Sequence, residues 1–585
     1  MLRFLGNVLS TVIGLFVFIL ILFFGVTIIG AVFGGDKEFE VKKNSVLELD
    51  LSHVQYDYAG KTKFIDFAFG EDEHNGLFDI INAIRYAKTD ENIKGISILN
   101  NDSSLGLAQL KALRNALEDF KKSKKFIYSY ADAYSQKNYY LNSVASTLYL
   151  NPIGELDFKG LGAEIMFYKD FQEKSGLKAE VIRHGKFKSA VEPFLENTIS
   201  DANREQTSAL LTSLWNSVLE DVSKSRNISV EKLNSIADGL LARTPQMAKS
   251  ERLIDVIGYE DEYHNAIKKI LKTATDEEYE SLAIEDYASN IATTEMATET
   301  DKIAIVYAQG EITGGEGDVT EIGEGSMRRA LKEAREDDDV KAIVLRVDSP
   351  GGSAMTSELI WRELEITKKV KPIVVSMGNY AASGGYYISC NANQIFAEAN
   401  TITGSIGVFG LLPNFSEAAA KIGIHVDQVK TNTNASEYSP FTPLDATTRA
   451  FAQEGVERIY DTFVTRVAVG RKMTKSQVDS IGQGRVWSGR DALKIGLVDN
   501  IGGLNDALVA AAKLGKTKKY STINYPEYEK EFRSIFEKMI PFAQSNQSLI
   551  KNEIGAENYK ILNHIKQLNN QKGVQARLPF EMKIK

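Results

Sequence analysis

The chain has 585 residues, 43% of them apolar and 25% charged, with a formal net charge of −9. That length exceeds what one core organises, so two or more domains are expected, and an acidic balance without a long basic run excludes a nucleic-acid partner. Cys390 is the only cysteine, which excludes an intrachain disulfide and a cysteine-built zinc site.

The first element is an apolar run. Residues 1–7 carry Arg3, and the 26 residues from Val8 to Phe33 carry no charge. About 20 apolar residues span a bilayer, whereas a cleavable signal peptide has a core of roughly 7–15 residues and a small-residue cleavage site. Residues 8–33 are therefore read as a retained transmembrane anchor and 1–7 as a cytoplasmic tail. A short tail before the helix and a long body after it place the body on the extracytoplasmic side.

The body is one unit written twice. "NIKGISILNNDSSLGLAQLKALRNAL" (92–117) parallels "DVKAIVLRVDSPGGSAMTSELIWREL" (339–364), each a short apolar strand, a turn with Asp-Ser and a helix. "SKKFIYSYADAYSQKNYYLNS" parallels "VKPIVVSMGNYAASGGYYISC" through paired tyrosines, and "ERLIDVIGYEDEYHNAIKKI" parallels "IGLVDNIGGLNDALVAAAKL". The offset stays between about 244 and 247 residues. Two homologous domains are expected at 45–272 and 303–520, with the acidic, Thr/Ala-rich stretch 273–302 as a linker or crossing helix. The Asn-, Gln- and Lys-rich tail 521–585 is expected to be helical. Alternating strands and helices imply mostly parallel sheets covered by helices, an α/β class. Ligands of such folds gather at the carboxyl ends of the strands, where the Gly-rich turns at 351–352 and 384–385 fall.

Several chemistries are absent from the sequence. There is no Gly-x-Ser-x-Gly elbow, because position 381 is Ala, and there is no phosphate-binding loop, dinucleotide fingerprint or His-Glu-x-x-His motif. What remains is Ser383 in "AASGGYY", at a strand end where a helix begins. Free N–H groups at that helix start, on Gly384, together with those of Gly351 or Gly352, can form an oxyanion hole. The ordinary reading is that these glycines make turns and Ser383 caps a helix. The repeat argues for a site: in the first copy Gln136 stands near the Ser383 position, followed by Lys137 and Asn138, so the fold does not need the glycines. A serine nucleophile needs a base. The first copy holds "RHGKFKSAVEPF" (183–194), and about Ala435 stands opposite Lys188 in the second. A lysine acts as a base only where burial lowers its pKa. Lys188, among Phe187, Ala190, Val191 and Phe194, fits that requirement. Spacing alone does not choose it over Lys186, and His184 is the next alternative.

Taken together, "VDSPGG", "AASGGYYIS", "TITGSIGV" and "GKFKSAVEPF" resemble the signal peptide peptidase A family, the long two-domain form of the membrane-bound Ser/Lys peptidases of family S49. The resemblance covers roughly residues 1–520. It implies Ser383 as nucleophile, Lys188 as general base, Ser405 as the residue that orients the lysine, and Gly384 with Gly351 or Gly352 as oxyanion donors. It further implies tandem crotonase/Clp-protease-like domains of repeated ββα units behind the anchor, and a homotetramer. The implied activity is endopeptidase cleavage of hydrophobic peptides, such as signal peptides released from preproteins. No metal or cofactor is implied, and the implied location is the bacterial inner membrane with a periplasmic body. Two other readings are a crotonase-type acyl-CoA enzyme, against which the anchor argues, and an inactive membrane scaffold, against which Ser383, Lys188 and Ser405 argue.

Overall fold

A computed structural model describes residues 14–18, 21, 41–60, 76–295, 300–435, 438–528 and 575–577. The first half builds a six-stranded sheet. Its spatial order is Val256–Ile257, Thr147–Leu150, Phe126–Ala131, Ile93–Leu99, Ser45–Glu48 and Ser281–Ala283, every pair parallel. Parallel strands need long return connections, and helices such as Leu77–Ala87 and Leu107–Lys121 supply them. Helices on both faces bury the sheet, which is why these strands read as near-continuous apolar runs.

The second half repeats this order. Asn500–Ile501, Gln394–Ala397, Ile373–Ala382, Val340–Ser349, Lys302–Gln309 and Ser521–Tyr525 lie side by side, again all parallel. Here the central strand runs on to its Ala381–Ala382 end, where Ile402–Gly404 pairs with it and Val486–Ser488 closes antiparallel on Ile402–Gly404. That extension carries the chain to Ser383.

A third sheet joins the halves. Its order is Glu321–Gly323, Glu311–Thr313, Gly351–Ser353, Gln575–Arg577, Val408–Asn414 and Lys178–His184. Lys178–His184 belongs to the first half by sequence but pairs antiparallel with Val408–Asn414 through seven residue pairs, from Val408 opposite His184 to Asn414 opposite Lys178. Polar contacts add to the seam. Arg346 Nε donates to Asp57 at 2.7 Å with both side chains buried, and Tyr58 stacks on Tyr307 at 4.6 Å. Asn379 Oδ1 accepts from the N–H groups of Ala108 and Gln109, satisfying two of the free donors at the start of Leu107–Lys121.

Two boundaries differ from the sequence-based expectation. The segment 273–302, expected as a linker or a crossing helix, holds a helix and adds a strand: Ser281–Ala283 is the edge strand of the first sheet, and the helix Ile284–Glu295 packs on that core through Ile284, Tyr287 and Ala288. The tail is not helical where it is described. Ser521–Tyr525 completes the second sheet and Gln575–Arg577 is a strand of the third. Both follow from open sheet edges, which take any extended segment that can satisfy their N–H and C=O groups. The anchor expected at 8–33 lies almost wholly outside the described residues, and among those described no helix is long and apolar enough to cross a membrane.

Candidate active site

Ser383 sits where the strand Ile373–Ala382 turns into the helix Gly384–Ser389, with φ 55° and ψ −113°. A non-glycine residue at positive φ is strained, and such strain persists only where the surroundings over-determine it. Here the Ser383 N–H donates to Gly404 O at 2.8 Å and its carbonyl accepts from Tyr387 N at 2.8 Å. Held from both sides, the side chain points into the interior, where Lys188 meets it.

Lys188 Nζ donates to Ser383 Oγ at 2.9 Å, to Ser405 Oγ at 3.0 Å and to the Ser405 carbonyl at 3.3 Å. Lys188, Ser383 and Ser405 are each 0% exposed. Burial pushes the lysine pKa well below its ordinary value of 10.5, because an ammonium loses its hydration there. No carboxylate is among the causes of that shift, so nothing offsets the desolvation. The Phe409 ring lies 5.8 Å from the nitrogen.

The lysine arrives by a short path. Lys178–His184 ends at Gly185, the chain turns, and a 3₁₀ helix begins at Ser189. The Phe187 N–H donates to Gln483 O, and Gln206 Nε2 donates to Phe187 O and Ser189 Oγ, fixing the backbone on both sides of Lys188. Two glycines make room for the stem. A Cβ on Gly484, which has φ +82°, would lie 2.6 Å from Lys188 Cα, and one on Gly407 would lie 3.1 Å from Lys188 Cδ. Glu192, which could have paired with Lys188 at a surface, instead accepts from Ser200 N and Oγ.

The alternatives for the base lie elsewhere. Lys186 is exposed with its nitrogen 5.1 Å from the Phe187 ring centroid, and His184 pairs with Glu457 and stacks on Tyr460. Of the three glycines expected as oxyanion donors, Gly351 and Gly384 are brought together. A Cβ on Gly351 would lie 2.8 Å from Gly384 N, and φ +101° at Gly351 is a conformation other residues rarely adopt. Gly351 N donates to Ser349 Oγ at 3.2 Å. Gly352 instead packs on Ile312. In the first copy, Gln136 is buried and its side chain bonds Lys159 N, Gly160 N and Gly160 O, filling the equivalent corner.

The sequence reading missed Gly484, Gln206 and the strand Gln575–Arg577. Gly484 stands in "GQGRVW" with no neighbouring motif, and Gln206 lies inside the helix Asp201–Arg226; neither carries a local signal.

A strained serine hydroxyl against a buried, weakly basic lysine, beside backbone N–H groups at a helix start, defines a nucleophile site suited to acyl transfer. Comparison with known proteins narrows this. The model of peptidase family S49 matches residues 119–274 and 365–518. Protease 4 of Haemophilus influenzae is 36% identical over 505 residues, covering 84% of this chain and 82% of that protein. Protease 4 of Salmonella typhi is 36% identical over 543 residues, covering 90% and 87%. The chloroplastic serine protease SPPA of Arabidopsis thaliana is 31% identical over 434 residues, covering 73% and 64%. The chain belongs to peptidase family S49, a family of serine peptidases.

Proposed function

We propose that this chain is a Ser/Lys endopeptidase in which Ser383 is the nucleophile, Lys188 the general base and Ser405 the residue that orients the lysine. The observation that carries this reading is the 2.9 Å contact between Lys188 Nζ and Ser383 Oγ in a fully buried setting. The uncharged amine takes the Ser383 proton as Oγ bonds to the peptide carbonyl carbon. The oxygen of the tetrahedral species turns toward the Gly384 N–H, and the Gly351 N–H joins it by leaving Ser349 Oγ. Collapse breaks the C–N bond, and the amine leaves with the proton that Lys188 held. Water then gives a proton to Lys188 as its oxygen bonds to the acyl carbon, and Lys188 returns that proton to Ser383 Oγ as the ester C–O bond breaks. Ser405 accepts a hydrogen bond from Nζ through its hydroxyl and through its carbonyl, which aims the nitrogen lone pair at Ser383.

The substrates on this reading are hydrophobic peptides, remnant signal peptides first among them. Residues 8–33 anchor the body to the bacterial inner membrane, and the body works extracytoplasmically as a homotetramer of Clp/crotonase-like domains. The uncharged 8–33 run supports the anchor, and the relatives named Protease 4 support the peptidase activity. The test is labelling of the full chain in membranes by a fluorophosphonate, with hydrolysis of a fluorogenic hydrophobic peptide alongside. Label on wild type, absent from Ser383→Ala, together with peptide turnover, is the expected result. A chain inert to both probes overturns the peptidase reading in favour of a scaffold, and turnover of an acyl-CoA without label favours a crotonase-type enzyme.

A further inference from the structure

The strand that delivers Ser383 falls out of step with its neighbour just before it arrives. Ile373–Ala382 pairs with Val340–Ser349 in register from Ile343 opposite Ile373 to Val347 opposite Met377, then slips, so that Ser349 stands opposite Ala381. Asp348 alone faces Gly378, Asn379 and Tyr380. Bulges bend a strand and re-aim the side chains beyond them. Beyond this one lie Ser383 on one strand and the Ser349–Gly351 turn on the other, the nucleophile and an oxyanion donor of the reading above. In the first copy the matching strands pair without a slip from Gly95 opposite Phe126 to Leu99 opposite Tyr130, and the pairing ends there. The slip therefore belongs to the copy that carries the serine, and the fold does not require it.

One carboxylate closes the bulge. Tyr380 N–H donates to Asp348 Oδ1 at 2.9 Å instead of to a strand carbonyl, and Asn379 Nδ2 donates to Asp348 Oδ2 at 3.2 Å. A Cβ on Gly378 would lie 2.8 Å from Asp348 Cβ and Cγ, so only glycine there lets the carboxylate in. The Asn379 amide is held in one orientation, because its Oδ1 accepts from Ala108 N and Gln109 N of the first half, both at 3.2 Å. Its Nδ2 also donates to Gln109 Oε1 at 2.6 Å. Gln109 Nε2 in turn donates to Asp57 Oδ1 at 3.0 Å, and Arg346 Nε donates to Asp57 Oδ2. Arg346 Nη1 ends the chain on Ser376 Oγ and Met377 O, on the near side of the slip. The bulge is pinned by Asp348 within its own half and gripped at Asn379 by the first half.

We infer that Asp348 and Asn379 are positioning residues for Ser383 and the Gly351 turn, and that the first-half helix Leu107–Lys121 holds them in place. The inference rests on the peptidase reading proposed above for the reaction being positioned. The first half then serves the site twice: it supplies Lys188, and it clamps the strand that brings the serine.

The test uses the full chain and one fluorogenic hydrophobic peptide. Asp348→Ala takes the acceptor from Tyr380 N–H and Asn379 Nδ2. It is expected to lower kcat about 10²-fold with KM within about twofold, the cost of misplacing a reacting group by about 1 Å. Asp348→Asn keeps an oxygen for Tyr380 N–H and is expected to recover part of the loss. Gly106→Ala acts from the first half, since its Cβ would lie 2.3 Å from Asn379 Cγ and Oδ1, and it is expected to lower kcat about tenfold. Lys111→Met removes an ion pair to Asp221 from the same helix, and is expected to lower Tm with kcat unchanged. Hydrogen exchange over residues 378–382 is expected to quicken in Asp348→Ala and Gly106→Ala and not in Lys111→Met. Asp348→Asn and Gly106→Ala carry the test where Asp348→Ala does not fold. Wild-type kcat in the Asp348 and Gly106 variants overturns the inference, and so does an equal loss in Lys111→Met, which makes the effect one of folding alone. A wild-type chain inert to every peptide and serine probe overturns the peptidase reading instead. The bulge is then judged by exchange, and unchanged exchange in Asp348→Ala and Gly106→Ala overturns the inference as well.

Discussion

Lys188 Nζ and Ser383 Oγ lie 2.9 Å apart although 195 residues separate them in the chain, and water reaches neither side chain. The contact exists because Lys178–His184 crosses from the first half to pair with Val408–Asn414. Each copy of the duplication supplies one side chain of this contact, so on the proposed mechanism neither half alone is a catalyst. Ser383→Ala and Lys188→Met are each expected to lower kcat by about 10³-fold or more, and the double variant little further, because groups that act as one unit are not additive. Steady-state kinetics on one peptide checks this. Lys188→Met is also expected to melt no lower than wild type at neutral pH, since a side chain of similar shape replaces an amine whose burial is costly.

The pH dependence follows from the direction of the lysine shift. Burial lowers the Lys188 pKa well below 10.5. The protonated amine cannot accept a proton, so kcat/KM rises with pH through an apparent pKa below 10.5 and then levels. Stability runs the same way. Between the lowered folded pKa and 10.5 the unfolded chain binds more protons, so stability climbs with pH over that window. A pH–rate profile with its midpoint at the ordinary lysine value contradicts the assignment, and melting curves of Lys188→Met, which lack this slope, provide the second check.

Gly484 is a positioning residue. Its Cα backs directly onto the lysine, and any Cβ there meets Lys188 Cα, Cβ and N at 2.6 Å. Gly484→Ala also strains a backbone held at φ +82°. The Lys188 nitrogen is then displaced, and misplacement by about 1 Å costs on the order of 10²-fold. Kinetics is expected to show the loss in kcat with KM nearly unchanged. The mirror substitution Gly410→Ala, on the neighbouring strand with open space around its Cβ, is expected to be near neutral.

Ser405 presents a graded case. Its hydroxyl and its carbonyl both accept from Lys188, at 3.0 and 3.3 Å. Ser405→Ala removes only the first, so the lysine keeps one anchor. The expected loss in kcat is about 10–100-fold, smaller than for either reacting group. Equal loss in Ser405→Ala and Lys188→Met contradicts an orienting role.

Much of this arrangement is legible in the sequence, for physical reasons. Buried parallel strands must be apolar along their whole length, so "KAIVLRV" and "KPIVVSM" announce themselves. The serine stands among small residues that permit close approach. The choice of Lys188 over Lys186 is not legible from spacing, because both flank Phe187 and only the turn after Gly185 decides which one faces inward. The strand Ser281–Ala283 is three residues long, exposed at both ends and half-buried at Leu282, too short for an alternating pattern to be read from the sequence. Gln575–Arg577 is as short, and its partner lies more than 200 residues away in "PGGS". Short edge strands are set by the edge they join, and that edge is a tertiary object.

Glu398 provides a test of the seam that leaves the reacting groups untouched. Its carboxyl is buried beside Gly503, and desolvation pushes its pKa up to about 7, with Lys111 and Arg346 pulling the other way and Asp506 and Asp221 adding to the rise. The sign is the reverse of a salt-bridged acid. Between its ordinary value of 4.5 and about 7 the folded chain holds the proton that the unfolded chain has lost, so stability falls as pH rises through that window. Asp348, also pushed up to about 7 by burial, adds a second group of the same sign. Glu398→Gln removes one of the two. It is expected to raise Tm at about pH 8 by roughly 2–4 °C, and to leave it unchanged or slightly lower near pH 4.5, where wild-type Glu398 is already protonated when folded. Scanning fluorimetry of the two proteins across pH 4.5–8.5 measures it. A gap that stays constant with pH means that the carboxyl keeps its charge in the folded chain, and that Lys111 and Arg346 outweigh the desolvation.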